Sequence, residues 1–167
     1  LVPAPELVVV GAGHVGQALA RVAPAAGLPV TVIDDRASFA NPQRLPYARS
    51  IVVADPRAAL AELPARRDRA IVLVTRGHRL DAERLRVALG LDWTYLGMIG
   101  SRRRVRRILE HLADEGADRE RLGRVHAPIG LDIGAETPGE IAVAIVAEIV
   151  NQRRCGRAAA LSLSRRG

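Results

Sequence analysis

Lysine is absent from this sequence of 167 residues, so all 25 of its basic residues are arginine. Without lysine the chain cannot form a Walker-type phosphate loop, a Schiff-base lysine or the tyrosine–lysine pair of short-chain reductases. The 18 acidic residues are spread along the chain, which carries a net charge of +7. An arginine excess of this kind is typical of GC-rich coding rather than of a nucleic-acid surface, and we expect no nucleic-acid partner.

Aromatic residues, cysteine and long apolar runs are also scarce. The aromatic residues amount to 2% of the chain and do not alternate with arginine, as stacking platforms for nucleic acid would. One cysteine, Cys155, excludes an internal disulfide framework and is typical of a reducing compartment. No apolar run approaches the roughly 18 residues of a membrane-spanning helix, and no signal-peptide pattern is visible. We therefore expect a cytoplasmic protein that does not enter a membrane.

Short apolar runs alternate with segments of helical spacing along the whole chain. Five runs rich in Val and Ile are typical of parallel strands buried on both faces, namely 7–10, 30–33, 51–54, 71–74 and 94–99. The spacing predicts helices over 14–26, 56–65, 80–89 and 102–115, and a last helix capped by Thr137. This alternation predicts an α/β fold, a Rossmann-like doubly wound and mostly parallel sheet, in one domain over 1–167.

A glycine motif of the form G-x-G-x-x-G lies between the first predicted strand and the first predicted helix. Gly11 allows a tight turn, Gly13 lets the main chain approach a pyrophosphate, and Gly16 lets the helix pack closely on the strand. Free N–H groups at the helix start, including that of Val15, favour an anion. The motif predicts a site for a nucleotide or a pterin phosphate, and the alternative is a pocket that has lost its ligand.

Charged residues follow the second predicted strand. Asp34 lies 18 residues past Gly16, where a carboxylate can accept hydrogen bonds from ribose hydroxyls. Asp35 and Arg36 come next, and Arg36 would instead favour a 2′-phosphate. His14 lies within the glycine motif and is a candidate for contacting a ligand, the alternative being a polar side chain satisfied by a neighbouring loop.

Polar residues also follow the fourth and fifth predicted strands, at the edge where open α/β sheets bind ligands. The candidates after the fourth strand are Thr75, Arg76, Gly77 and His78, with Asp81 placed to cap the next helix or to orient His78. The candidates at the fifth strand are Gly97, Ile99, Gly100, Ser101 and Arg102. Main-chain N–H groups, a hydroxyl and a guanidinium predict an anion-binding site after the fifth strand. The alternative is that these connections are solvent-exposed loops.

A long irregular segment, 126–138, precedes the last helix and carries the candidates His126, Gly130 and Glu136. Loops of this length within a compact domain tend to be functional. The separations of the histidines give no metal-ligand signature, so we predict no metal site. No catalytic pair is evident.

Five segments together resemble the C-terminal domain of the XdhC/CoxI family, accessory proteins of xanthine dehydrogenases and related molybdenum hydroxylases. They are GAGHVG, VTVIDDR, TRGH, YLGMIGSRRR and HAPIGLDIGAETPGEIAVAIVAEI, and the resemblance extends from Leu7 to Arg153. It implies a Rossmann domain that binds molybdenum cofactor and assists its sulfuration with a cysteine desulfurase. It also implies delivery of the cofactor to a xanthine dehydrogenase-type apo-enzyme. Family members usually carry a further N-terminal domain that this sequence does not include, so we expect it to be part of a longer protein.

Under this resemblance the glycine motif would hold the phosphate or pyrophosphate, Asp34 the ribose region, and Ser101 with Arg102 a second anionic group. The side chains bordering the reactive end would be His14, His78, His126 and Glu136. Two alternatives stay open: an NAD(P)-dependent oxidoreductase with a substrate domain elsewhere in the protein, and a nucleotide-sensing regulatory domain. A homodimer is a further expectation.

Overall fold

The computed structural model describes residues 5–75, 77 and 79–156. Arg76 and His78, two of the candidate ligand residues, lie outside the described residues. The strands are β1 Glu6–Val10, β2 Val30–Asp34, β3 Ser50–Val53, β4 Arg69–Leu73 and β5 Tyr95–Met98. The α-helices are α1 His14–Val22, α2 Pro56–Ala61, α3 Asp81–Leu89, α4 Arg102–Asp114, α5 Arg119–Gly123 and α6 Pro138–Cys155.

The five strands form one parallel sheet in the order β3-β2-β1-β4-β5. The chain starts at β1, moves outward through β2 and β3, and then returns to the other side of β1 with β4. This reversal makes the carboxyl ends of β1 and β4 the switch point at which doubly wound sheets bind ligands. The predicted α/β, Rossmann-like doubly wound fold is confirmed, and every strand pair in the described part of the chain is parallel.

Two layers of helices bury the sheet on both faces. One layer consists of α1 and α6, whose apolar residues such as Leu19 and Ile145 pack with Val9 of the sheet. The other layer contains α2 to α5, and residues such as Leu85 and Leu112 pack there on the opposite face. Because both faces are covered, every residue of β2 and β4 is buried, which explains why most of their residues are apolar.

The predicted elements agree with the structure to within a few residues. Residues 23–26 form a short 3-10 turn after α1, where Pro24 interrupts the helical hydrogen-bond pattern. At α6, Thr137 and Glu140 form the expected reciprocal capping box. The short helix α5 was not predicted, although Asp118 accepts hydrogen bonds from two N–H groups at its start.

The chain after α5 adds a short contact at the β5 edge of the sheet. The N–H of His126 donates to the carbonyl of Leu96 at 2.8 Å, and the N–H of Met98 donates to the carbonyl of His126 at 3.0 Å. This isolated parallel bridge occupies the place of a sixth strand. It fixes the start of the irregular segment 126–138 against the sheet.

Candidate functional site

The glycine motif forms a tight turn between β1 and α1. Gly11 has φ of +114°, and a Cβ there would lie 2.9 Å from the methyl carbon of Thr75. A Cβ at Gly16 would lie 1.8 Å from the carbonyl oxygen of Gly11, so only glycine lets the helix pack this closely. A Cβ at Gly13 would meet nothing within 4 Å. Gly11 and Gly16 therefore close the turn, whereas Gly13 faces open space.

The N-terminus of α1 faces this open space and has no side-chain cap. Gly13 is the N-cap residue and supplies no side chain, and the first turn of α1 contains no acidic residue. The first N–H groups of a helix lack partners within the helix, and the helix dipole places partial positive charge there. This end of α1 is therefore suited to bind an anion that enters beside Gly13.

A cleft of about 310 Å³ lies in front of this helix end, at the carboxyl ends of β1, β2 and β4. Its size falls at the small end of the range for cofactor sites. The residues that line it are Gly11, Gly13, His14, Val15, Asp34, Asp35, Arg36, Phe39, Pro56, Val74, Thr75, Gly77, Arg84 and Ile99. The cleft thus occupies the switch point of the sheet, where the topology favours a ligand.

The carboxylate of Asp34 is buried and fully engaged within the protein. It accepts hydrogen bonds from the N–H of Ala12 at 2.7 Å and from the N–H of Arg36 at 2.9 Å. The guanidinium of Arg36 adds a two-point contact, with Nε and Nη2 at 3.0 and 2.9 Å from the two carboxylate oxygens. Burial alone would raise the pKa of Asp34, but these hydrogen bonds and the charge of Arg36 lower it to about 2.

Phe39 holds two arginines at one wall of the cleft. The guanidinium carbons of Arg36 and Arg44 lie 3.9 and 4.7 Å from the centre of its ring. Arg44 also donates to the carbonyl of Ala12 and to the side chain of Gln17, both at 3.3 Å. These contacts attach the irregular region after β2 to the glycine turn, so that this wall is fixed in place.

Asp81 organises the opposite wall. Its carboxylate accepts a hydrogen bond from the hydroxyl of Thr75 at 3.1 Å and contacts the guanidinium of Arg104. Arg84 lies one helical turn further along α3, with Nη1 at 3.9 Å from the same carboxylate. Asp81 is therefore buried among donors from the segment after β4, from α3 and from α4. Its expected contact with His78 lies outside the described residues.

The structure brings about half of the predicted site residues together. Ten of them line the cleft: Gly11, Gly13, His14, Val15, Asp34, Asp35, Arg36, Thr75, Gly77 and Ile99. Gly16 lies behind the turn, and Gly97 lies against Ile129 in the interior. Ser101 caps α4 by accepting from the N–H of Arg104 at 3.3 Å, and neither it nor Gly100 or Arg102 lines the cleft.

His126, Gly130 and Glu136 lie apart from the cleft. The ring of His126 is buried and stacks on Tyr95, with ring centres 4.6 Å apart. The carboxylate of Glu148, on α6, accepts hydrogen bonds from the Tyr95 hydroxyl at 2.6 Å and from the N–H of Gly130 at 3.1 Å. Burial and then the charge of Glu148 raise the pKa of Tyr95. Glu136 is exposed, and its N–H donates to the capping Glu140. The structure therefore does not bring His126 together with His14.

Four lining residues were not predicted: Phe39, Pro56, Val74 and Arg84. Arg84 has a signal in the sequence, because residues 81, 84, 85, 88 and 89 form the buried face of α3 and two of these five are charged. A charged residue at an apolar position of a helix indicates a role beyond packing. Phe39 is one of only four aromatic residues, but its position in an irregular region gave no pattern to follow.

Neither a metal-binding cluster nor a membrane-spanning helix is found among the described residues. In the ranges 5–75, 77 and 79–156 no three His, Cys, Asp or Glu side chains are grouped so that they could hold a metal ion. Within those same ranges, no helix has the length and apolar character needed to cross a membrane.

Comparison with known proteins gives one consistent result. The sequence model of the XdhC Rossmann domain matches residues 7–149. The chain is 37% identical over 147 residues to the uncharacterized protein YqeB of Escherichia coli, covering 87% of this chain and 27% of that protein. It is 32% identical over 152 residues to a probable xanthine dehydrogenase subunit of Bacillus subtilis, covering 91% of this chain and 44% of that subunit.

A solved structure agrees with these matches. The crystal structure of a xanthine dehydrogenase from Bacillus halodurans superimposes with a TM-score of 0.81 at 30% identity, over 92% of this chain and 45% of that one. The chain thus spans less than half the length of each of these relatives.

Proposed function

The chain belongs to the XdhC family, and from this membership and the cleft we propose that it serves as the cofactor-binding domain of an accessory protein for xanthine dehydrogenase-type molybdenum hydroxylases. In this role it binds molybdenum cofactor as cargo, holds it while a cysteine desulfurase supplies sulfur, and passes it to the apo-enzyme. The proposed role is non-enzymatic and cytoplasmic. The expected homodimer stays a prediction.

The uncapped N-terminus of α1 is the observation that carries this proposal. Molybdenum cofactor ends in a phosphate, and in its nucleotide form in a diphosphate, either of which matches free N–H groups at a positive helix end. Gly13 leaves the approach open because a Cβ there would meet nothing within 4 Å. We assign the N–H groups of His14 and Val15, with the turn at Gly13, to this phosphate.

The chemistry of the cleft fits the phosphate end of the cargo and not its metal end. The residues described for this chain include no group of three side chains that could ligate a metal. In the proposed orientation the domain holds the cargo by its phosphate and leaves the metal end accessible. Such an orientation suits a protein that must expose the metal both to a sulfur donor and to the recipient enzyme.

The state of Asp34 disfavours an NAD-dependent oxidoreductase, and it means that the ribose of a nucleotide-form cargo would also be held by other groups. In a dinucleotide site this carboxylate accepts hydrogen bonds from ribose hydroxyls. Here the N–H of Ala12 and the N–H and guanidinium of Arg36 already occupy it. An NADP-dependent oxidoreductase stays the second candidate, because Arg36 is half-exposed beside Asp34 and has the charge to contact a 2′-phosphate.

Calorimetric titration of the purified chain with NAD, NADP and, anaerobically, molybdenum cofactor or its nucleotide form tests the proposal. We expect the pterin to bind and the nicotinamide nucleotides to give no comparable heat. Gly13→Val should abolish pterin binding, because the new side chain would fill the phosphate approach, while the fold is kept.

Gly123→Val is the matched control, because Gly123 is exposed and outside the cleft, and a Cβ there would likewise meet nothing within 4 Å. Its pterin affinity should equal that of the unaltered chain. Tight NADP binding with weak pterin binding would favour the oxidoreductase instead. Pterin affinity that is unchanged in a folded Gly13→Val variant would overturn the assignment of the cleft.

A further inference from the structure

Arg84 is a buried cation whose hydrogen-bonding capacity is largely unused. The residue is 6% exposed. Its Nε has no hydrogen-bond partner among the described residues. Its contact with Asp81, at 3.9 Å from Nη1, is an ion pair that exceeds hydrogen-bond length.

A buried guanidinium in this condition is unusual. Removing a charge from water is costly unless hydrogen bonds and an opposite charge compensate for it, so buried arginines are normally well paired. Asp81 compensates little for the charge of Arg84, because its carboxylate also accepts a hydrogen bond from Thr75 and contacts Arg104. One carboxylate thus faces two guanidinium groups among the described residues.

Arg84 forms part of the lining of the cleft. Gly77 stands next to the guanidinium, and a Cβ at Gly77 would lie 3.8 Å from Nη1. Gly77 also lines the cleft and, because it has no side chain, does not itself cover this nitrogen. The N-terminus of α1 and Arg84 are therefore two anion-attracting groups on the walls of a single cleft of about 310 Å³.

We propose that Arg84 forms a second oxyanion subsite, so that the cleft selects ligands carrying a diphosphate over those carrying a single phosphate. One phosphoryl group lies at the N-terminus of α1 and the next accepts hydrogen bonds from the guanidinium of Arg84. A cleft this small holds two linked phosphoryl groups more readily than two separate anions. The inference deepens the proposed function and rests on it for the identity of the cargo, which would be the nucleotide form of the pterin.

Inorganic phosphate and pyrophosphate are the probes, titrated by calorimetry into the unaltered chain and into Arg84→Met. The unaltered chain should bind pyrophosphate at least ten-fold more tightly than phosphate, since hydrogen bonds to charged groups are among the strong ones. Arg84→Met should lose about ten-fold in pyrophosphate affinity and leave phosphate affinity unchanged. Its thermal midpoint should be equal or higher, because a buried and poorly paired charge is replaced by an apolar side chain.

Arg86→Gln is the matched control, because Arg86 is an exposed arginine on the same helix that pairs with Glu115 away from the cleft. It should bind both probes as the unaltered chain does. Arg84→Lys keeps the charge without the planar fork and should recover part of the preference for pyrophosphate. If Arg84→Met fails to fold, Arg84→Lys serves as the test variant, and a full pyrophosphate preference in it would overturn the inference.

The same titrations separate the two proposals. Equal affinity for phosphate and pyrophosphate in the unaltered chain, or an undiminished preference in folded Arg84→Met, would overturn the subsite and leave pterin binding standing. A different result is a chain that prefers pyrophosphate in a way that depends on Arg84 and yet does not bind molybdenum cofactor. That result would support the subsite and overturn the proposed cargo.

Discussion

At the scale of single residues, the pair formed by Asp34 and Arg36 shows how one side chain can occupy the group that a motif predicts to bind a ligand. The sequence places a carboxylate at the end of the second strand, where a ribose acceptor is expected. Two residues later Arg36 folds back and contacts both oxygens of that carboxylate. The residue types were predictable, but their mutual engagement depends on the turn after β2 and on Phe39, over which Arg36 lies.

This pair gives a prediction about acid stability. The pKa of Asp34 is lowered from 3.8 to about 2, so its ionised form stabilises the fold above pH 3.8 and this contribution is lost as the pH falls towards 2. The shift corresponds to about 2 kcal/mol. Asp34→Asn should therefore be less stable than the unaltered chain at pH 7 by about that amount, and should lose less stability between pH 4 and pH 2.

Urea unfolding at a series of pH values measures both effects, with Asp35→Asn at the exposed neighbouring position as the control. That control should follow the unaltered chain across the whole range. If the free energy of unfolding of Asp34→Asn fell as steeply between pH 4 and pH 2 as that of the unaltered chain, the pair would not stabilise the fold.

At the scale of elements, the start of α6 is a feature whose energy can be tested separately. Thr137 accepts from the N–H of Glu140 at 3.2 Å, and the Glu140 side chain accepts from the N–H of Thr137 at 2.9 Å. Thr137→Ala removes one half of this exchange and should lower the free energy of unfolding by about 1 kcal/mol. Chemical denaturation measures this loss in the free energy of unfolding.

Glu136→Ala is the control for this variant, because Glu136 contributes its main-chain N–H to Glu140 and the substitution keeps that group. Its stability should stay within about 0.5 kcal/mol of the unaltered chain, as is usual for an exposed substitution. The same variant tests the predicted contact of Glu136 with cargo, which would appear as weaker pterin binding without a change in stability. A Thr137→Ala variant as stable as Glu136→Ala would contradict the role of the cap.

The elements also show where sequence reasoning succeeded and where it did not. Runs such as 7–10 and 71–74 were predicted correctly because buried parallel strands impose a continuous Val- and Ile-rich pattern. The glycine turn was predictable because its spacing follows from main-chain geometry. The position of His126 was not, since it depends on Tyr95 and on Glu148, which is distant in the chain. Contacts between distant segments leave no periodic trace in a sequence.

At the scale of the whole molecule, the cleft is built from both helix layers. Val15 belongs to the α1 layer, whereas Pro56 and Arg84 come from helices of the opposite layer. The two apolar clusters lie on opposite faces of the sheet and meet through its strands. A site assembled in this way exists only when both layers are docked, so the fold should behave as one cooperative unit.

Leu19→Ala and Leu85→Ala test this cooperativity, because these leucines are fully buried in different layers. Each variant should lose about 2–5 kcal/mol and should shift the same single unfolding transition. The exposed Leu80 provides the control, since Leu80→Ala should change stability little. Because the two leucines pack in separate apolar clusters, the double variant should show the sum of the two losses. Calorimetry that resolved two transitions, with Leu85→Ala moving one of them alone, would mean that the layer carrying Arg84 can detach while the glycine turn stays folded. In that case phosphate binding at α1 would survive the first transition and the preference for pyrophosphate would not.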